Sequence, residues 1–413
     1  MVLPSPLEFI GAIVLRNSSA GRVGFIIIMA IAVIRIAYFV FAYLPYSVNA
    51  YNDFVSFYTA GKIVDAGAPD KLYDSARQWE IQKWCCAVPI RTNGPLPFTH
   101  APAEALLFAP LAPLGYGAAY LSWTSLNILM LLLISFGLRD YGSAIVPHWS
   151  LLAAVAFAFF PCFIAIAQGQ DSILLTCIYT LVFLSFKSGR PFAAGAFLGI
   201  GTLKPQLVVP FAAILLIRRQ WRAALGFVVA AGVVAALAMA FIGPGSMVAY
   251  IKFLLAFPRL PVNVSGADPA AMANLRGLSV MLLGRIASPR VITGIVVFLS
   301  AAVVCIAAWL WRGNLERDFS IAMVASLLAS YHLIVHDLTL LFLPLVLVFG
   351  RLTPERNKPA AAGLIASTVP WFLMELFSYL PVHAIAAISL ALLLGFGASL
   401  CLIRTDTARA THP

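Results

Sequence analysis

Charge is scarce in this chain. Lysine and arginine number 27 and aspartate and glutamate 16 in 413 residues, so 10% of the positions are charged, where a soluble domain carries about a quarter. With 62% hydrophobic residues and a mean hydropathy of +0.95, no soluble core absorbs this much apolar surface. Alternation of apolar and polar residues is missing too. The apolar runs are continuous, which excludes a membrane barrel and leaves helices as the spanning element. No glycine-rich loop ending in Lys-Ser or Lys-Thr occurs, and no strand-based dinucleotide motif, which excludes a soluble nucleotide-binding module. Cysteine is rare and lacks metal-ligand spacing. Cys162, Cys177, Cys305 and Cys401 fall in apolar runs and read as inert core residues, and the vicinal Cys85-Cys86 reads as plain loop in preference to a redox pair, with no disulfide assigned. Tandem repeats, low-complexity tracts and a cleavable signal are absent: the first apolar run, 23–44, is long enough to span and has no small-residue cleavage site.

What is present is a series of apolar segments, and a span needs about 20 apolar residues. We place spans near 23–44, 116–138, 151–167, 173–186, 223–242, 291–311, 319–331, 338–350, 363–380 and 384–403. The stretch 190–218 is too long for one span and too short for two at about 1.5 Å per residue. With Lys204-Pro205 at its centre it reads as two half-helices meeting on the face that carries Asp53. The total is about twelve transmembrane segments in one all-α polytopic membrane domain over 1–413. Lys187, Arg190, Arg218, Arg219, Arg222, Arg312, Arg317, Arg351, Arg356 and Lys358 fall on one side of this map, joined by Arg16, Arg22, Arg139, Arg404 and Arg409. The positive-inside rule makes that side cytoplasmic. Both termini and the 404–413 tail then lie inside, and the loops 45–113 and 243–290 lie outside, in a multi-pass cell membrane protein. The net charge of +11 is spread over short loops and calls for no nucleic-acid partner.

In the first loop, 54–66 reads as a helix with Asp53 at its N-cap. A second helix, 74–85, carries Trp79 and Trp84 as interfacial anchors, and both lie flat on the membrane. The stretch 92–113 holds Pro95, Pro97, Pro102, Pro110 and Pro113 and reads as an irregular or re-entrant crossing into the next span.

Asp53 leads the candidates for chemistry, since a carboxylate just beyond the first span is costly to hold near lipid. As a general base it takes a proton from a hydroxyl, with partial burial raising its pKa. As an N-cap it closes a helix, and the two roles are compatible. Lys204 either meets a phosphate at the start of the second half-helix or snorkels to the interface. His332, His336 and Asp337 form a polar turn between two short spans, with His332 and His336 at a spacing that fits one helix face. They serve either a phosphate or the helix ends. A metal built from these with Asp53 is not demanded by the spacing, so no metal and no cofactor is expected. In Gln168-Gly169-Gln170-Asp171, Gln170 offers amide hydrogen bonds to a ligand and Asp171 a helix cap, the cap being the preferred reading. Arg276 either clamps a phosphate or is a solvated loop charge. Arg35 and Glu375 stand deep in spans without an assigned role.

Short elements follow in a set order. They are Asp53-Phe54, Phe57-Tyr58-x-Ala60-Gly61, Ala66-Gly67, Leu72-Tyr73-Asp74 and Ala105-Leu106-Leu107-Phe108-Ala109-Pro110-Leu111. Next come Gly189-Arg190-Pro191, Ala194-Gly195, Leu203-Lys204-Pro205-Gln206 and Arg218-Arg219-x-Trp221-Arg222, then Ser330-Tyr331-His332 and His336-Asp337-Leu338. Over 52–344 the chain resembles glycosyltransferase family 87, integral membrane transferases that include polyprenol-phosphate-mannose-dependent alpha-1,2-mannosyltransferases. The resemblance implies a GT-C fold and an inverting hexosyltransferase. It implies transfer of a sugar, mannose by family default, from a polyprenyl-phosphate donor within the bilayer. The acceptor is a hydroxyl of a lipid-linked glycan or glycolipid on the extracytoplasmic face. It assigns Asp53 as the base, and Tyr58, Gln170, Lys204, Arg276, His332 and His336 stand beside it as candidates for binding donor phosphate or substrate. Two departures bear on the acceptor: Thr99-His100-Ala101-Pro102 replaces an aromatic-Pro-Pro element, and His336 stands where the family often has Tyr. A lipid or sugar transporter or flippase would also use spans, a broken helix and buried charge, but no internal repeat supports it. A non-catalytic scaffold would leave Asp53 replaceable.

Overall fold

Inside hydrocarbon no water satisfies backbone N–H and C=O groups, so each segment must satisfy its own, and the helix does so. The computed structural model describes residues 19–50, 52–86, 94–143, 145–256, 268–351, 357–374 and 380–403, and no strand occurs among them. Tyr51, Arg16, Arg91, Arg356, Glu375, Arg404 and Arg409, the 404–413 tail and part of the 243–290 loop lie outside the described residues.

Helix α1 (Ser19–Tyr38) continues through a π-helical turn (Phe39–Tyr43) and a last turn (Leu44–Ser47). The first loop then holds α2 (Phe54–Asp65), α3 (Ser75–Cys85) and α4 (Pro102–Phe108). There follow α5 (Tyr116–Gly137), α6 (Leu151–Ala158), α7 (Phe160–Ala167), α8 (Ser172–Lys187), α9 (Pro191–Ile200), α10 (Pro205–Ile217) and α11 (Trp221–Phe241). The remainder are α12 (Pro244–Ala256), α13 (Leu275–Leu283), α14 (Pro289–Trp309), α15 (Leu315–Ala329), α16 (Phe342–Phe349), α17 (Lys358–Leu373) and α18 (Val382–Cys401). Among the described residues, five helical stretches are long and apolar enough to cross a membrane: Arg22–Ser47, Tyr116–Gly137, Trp221–Phe241, Pro289–Trp309 and Val382–Cys401. The other expected spans are shorter helices or pairs of them. The 151–167 run is cut at Phe159, whose backbone is extended ahead of Pro161. The 338–350 run is a 3-10 stretch, Val335–Leu341, leading into α16.

The broken run explains Arg35. Its Nη1 donates to the Ala158 carbonyl that the break orphans, its Nη2 to the Phe372 carbonyl at 3.1 Å, and its guanidinium lies over Phe160 and Phe163. Arg317 is internal as well, not the loop cation expected. It pairs with Asp318 at 3.0 Å and donates to the Leu400 carbonyl.

The paired half-helices of 190–218 are present: α9 and α10 meet through a 3-10 turn, Gly201–Leu203, at Lys204-Pro205. Helix α9 packs along α11 at backbone contact. A Cβ at Gly199 would sit 2.6 Å from the Phe227 carbonyl, and those at Gly195 and Gly226 would meet the Ala223 and Phe192 carbonyls. Small residues permit this approach where no hydrophobic effect drives helices together. Elsewhere along α11, Leu225, Val228, Val233, Leu237 and Phe241 are exposed, as on a lipid-facing helix.

The first loop departs from the expected flat helices. Helix α2 is buried along nearly its whole length, at the centre of an aromatic cluster of Phe54, Phe57, Tyr58, Phe98, Phe108, Tyr116, Tyr120 and Trp123. Only α3 presents an anchor, with Trp84 84% exposed. The proline-rich 92–113 stretch is not wholly irregular, because Pro102 falls in the first turn of α4, where its missing N–H costs nothing. Cys85 and Cys86, read as plain loop, are joined to each other. Cys305 and Cys401 face outward and not into the core.

Candidate active site

The site grows from the carbonyl end of α7. The Ala167 carbonyl, unsatisfied within its helix, accepts from Ser47 Oγ at 3.2 Å, Asn52 Nδ2 at 3.2 Å and Tyr120 OH at 3.0 Å. Asn52 Oδ1 in turn accepts from Tyr116 OH at 2.6 Å. These bonds pin the segment before α2 against the α7–α8 turn. Gly169 makes that turn in the left-handed region, φ 67°, with no room for a Cβ against Phe54.

The result is a short distance between residues far apart in sequence: Gln170 Nε2 donates to Asp53 Oδ2 at 2.9 Å. Asp53 occupies the N-cap position of α2, yet its side chain makes no capping bond. The cap reading of this carboxylate therefore fails, while Asp74 caps α3 by accepting from Ala76 N and Arg77 N. Burial pushes the Asp53 carboxyl above its ordinary range, and the Gln170 hydrogen bond and nearby His100 draw it partly back.

Behind Gln170 lies an ion cluster. Lys204, 2% exposed, places Nζ 2.5 Å from Asp171 Oδ1 and 2.8 Å from Asp337 Oδ1. Asp337 also accepts from Ser172 Oγ at 3.0 Å and from Ile334 N at 3.2 Å. Asp171 precedes α8 but makes no capping bond, so its expected role as a cap is replaced by its pairing with Lys204. Lys204, expected at a phosphate or the interface, lies inside the protein between two carboxylates.

Beside this cluster, His100 Nδ1 lies 3.0 Å from Glu104 Oε2. His100 is packed against Phe57 and Phe98, and burial draws its pKa down to about 4. Glu104 is fully buried. The ligand atoms of His100, Glu104 and Asp171 lie within 4.8 Å of one another.

The remaining candidates separate. Tyr58 is a core residue: it is 5% exposed, its hydroxyl donates to the Leu114 carbonyl at 2.8 Å, and its ring abuts Tyr116. It does not present its hydroxyl to a substrate in this arrangement. His332 and His336 do not share a helix face, because 330–334 is not helical and the 3-10 stretch starts at Val335. His336 Nδ1 lies 3.3 Å from Gln168 Oε1 and its Nε2 3.7 Å from Asp337 Oδ1. Burial brings the His332 pKa down to about 4.

Arg276 is a buried member of α13 and not a solvated loop charge. It donates to the Tyr331 carbonyl at 3.1 Å, and Asn274 ties the same helix to the Ser330 carbonyl at 2.7 Å. Arg276 and Tyr331 stand on the wall of an otherwise apolar cleft of about 440 Å³ lined by Leu254, Val280, Ile292, Val296 and Val297. Sequence reading missed His100 and Glu104 as site residues. The available signal was their spacing of four, with an acid in the otherwise apolar 101–111 segment.

Fold and site together define a polytopic helical membrane protein whose buried acids, imidazoles and single ammonium gather where short helices meet. Sequence comparison is more specific: glycosyltransferase family 87 matches residues 98–344, more than half of the chain, and the protein belongs to that family. It is a glycosyltransferase, acting on a sugar donor and an acceptor. Asp53 precedes the matched stretch, whereas Lys204, Arg276, His332 and Asp337 fall within it. Comparison with curated proteins and with solved structures returned no match.

Proposed function

We propose that this glycosyltransferase takes its sugar, mannose in the first instance, from a polyprenyl phosphate and passes it with inversion to a hydroxyl of a lipid-linked glycan or glycolipid. The observation that carries this reading is Asp53. Its carboxylate leaves its own helix uncapped, is held by a neutral amide, and has its pKa raised by burial. Such a group accepts a proton from an alcohol more readily than a free carboxylate does. The acceptor oxygen loses its proton to Asp53 and bonds to the anomeric carbon as the carbon–oxygen bond to phosphate breaks. The departing phosphate carries charge, so a cation serves it better than an acid. Arg276, on the wall of an apolar cleft suited to a prenyl chain, is the group we assign to it. His332 adjoins Tyr331 and, neutral down to about pH 4, offers an imidazole to the same phosphate. Lys204 and Gln170 act behind the reacting atoms, Lys204 by holding Asp171 and Asp337 and Gln170 by orienting Asp53.

The basic residues support an extracytoplasmic site. Helix α8 starts at the site and ends at Lys187, about 24 Å away at 1.5 Å per residue. Lys187, Arg139 and Arg351 gather there around Asp140 and Tyr141. With that end cytoplasmic, Asp53 faces the opposite side.

Purified protein supplied with a panel of polyprenyl-phosphate sugars and a glycolipid acceptor tests the proposal. Mannosyl transfer is expected in the wild type, and Asp53→Asn should lose about 10²–10⁴-fold in turnover with its fold intact. Undiminished transfer by Asp53→Asn would remove Asp53 as base, and an absence of product with every donor would remove the lipid-phosphate donor.

A further inference from the structure

We propose that His100, Glu104 and Asp171 hold a divalent metal cation of the Mn²⁺ class. The residues come from two places in the chain: His100 and Glu104, four residues apart at the start of α4, and Asp171 in the α7–α8 turn. Their ligand atoms nonetheless lie within 4.8 Å of one another. An octahedral cation with bonds of about 2.1 Å sets neighbouring donors about 3 Å apart and opposite donors about 4.2 Å apart. The His100–Glu104 pair, at 3.0 Å, already has the separation of neighbouring donors, and Asp171 is near enough to converge with them on one ion.

A second observation points independently to a missing partner. Glu104 is fully buried, and beyond the His100 contact and a hydrogen bond that needs a proton shared with Asp171, its carboxyl oxygens find no donor among the described residues. A buried carboxylate oxygen without a donor is expensive. The nearest ammonium does not supply one, because Lys204 is already shared between Asp171 and Asp337. The carboxylates of Glu104, Asp171 and Asp337 thus face one lysine, and a dication restores the balance. One imidazole and two carboxylates suit a hard or borderline cation, and leave positions for water or a phosphate oxygen. The alternative that satisfies Glu104 without metal is a proton shared with Asp171. The inference concerns metal binding alone, so it stands or falls apart from the identity of sugar and lipid.

The test uses the full chain in detergent, stripped with chelator and titrated with Mn²⁺ while free Mn²⁺ is followed by electron paramagnetic resonance. One equivalent should bind per chain. Glu104→Gln and His100→Gln should each lower the affinity by about tenfold or more, and Asp70→Asn, on the exposed part of the same loop, should not change it. Wild-type protein that binds no Mn²⁺ under a large excess overturns the proposal in favour of the shared proton. Binding that survives both substitutions in folded protein overturns it by placing the ion elsewhere. Should the variants not fold, pulsed resonance on the wild type decides: nitrogen coupling to bound Mn²⁺ supports an imidazole ligand, and its absence refutes it.

Discussion

At the scale of single side chains, the proposed mechanism divides one task between Asp53 and Gln170. The working form of a base is the carboxylate, so turnover should fall as pH drops through the raised pKa of Asp53. Gln170 lowers that pKa by donating to the charged form. Gln170→Leu should therefore move the acidic limb of the kcat/KM profile to higher pH. A limb that stays in place would leave Gln170 with a structural role only. Lys204 makes a different prediction. Replacing one partner of a buried ion pair strands the other, at about 3–5 kcal/mol. Lys204→Met strands two carboxylates, so it should lower the unfolding temperature in detergent more than Asp53→Asn does. Equal unfolding temperatures would show that the triplet does not stabilise the fold.

At the scale of elements, the α7–α8 turn sets the geometry. Gly169 and Gly189 both have φ 67°, but a Cβ at Gly169 would lie 2.7 Å from Phe54 Cβ, while at Gly189 it would meet open space. Gly189→Ala should cost only the left-handed term of about 1–2 kcal/mol, with turnover unchanged. Gly169→Ala should cost more, and should reduce turnover by moving Gln170 away from Asp53. Paired thermal unfolding and activity measurements separate the two, and identical behaviour would mean that the turn does not position the site. The α9–α11 crossing offers a test away from the chemistry. Gly195→Val forces the helices apart where the Ala223 carbonyl now sits, an overpacking cost of about 1–3 kcal/mol, read as a lower unfolding temperature. The helix break at Phe159 belongs to the same scale, since Arg35 answers the carbonyl that the break exposes.

For the whole molecule, the separation of basic end from acidic site predicts topology. A cysteine at position 70, beside α2, should react with a membrane-impermeant maleimide in intact cells, and one at position 188, after α8, should not. The reverse pattern would place Asp53 in the cytoplasm and end its proposed role. Composition and apolar runs were enough to determine a helical membrane chain and the half-helices meeting at Lys204-Pro205, and to single out Asp53, Lys204 and Asp337 as candidates, because these depend on local hydropathy, proline geometry and the rarity of charge. Ordered motifs carried the family. Tertiary structure alone decided the partners. Asp53 and Asp171 each stand at the start of a helix and look like caps, yet each is claimed by a residue over 30 positions away. Tyr58 looks like a site residue and is core. His100 and Glu104 became visible only when α4 packed beside the α7–α8 turn. Local pattern determines what a segment can become, whereas a buried charge is settled by whichever opposite charge or donor the fold brings within about 3 Å of it.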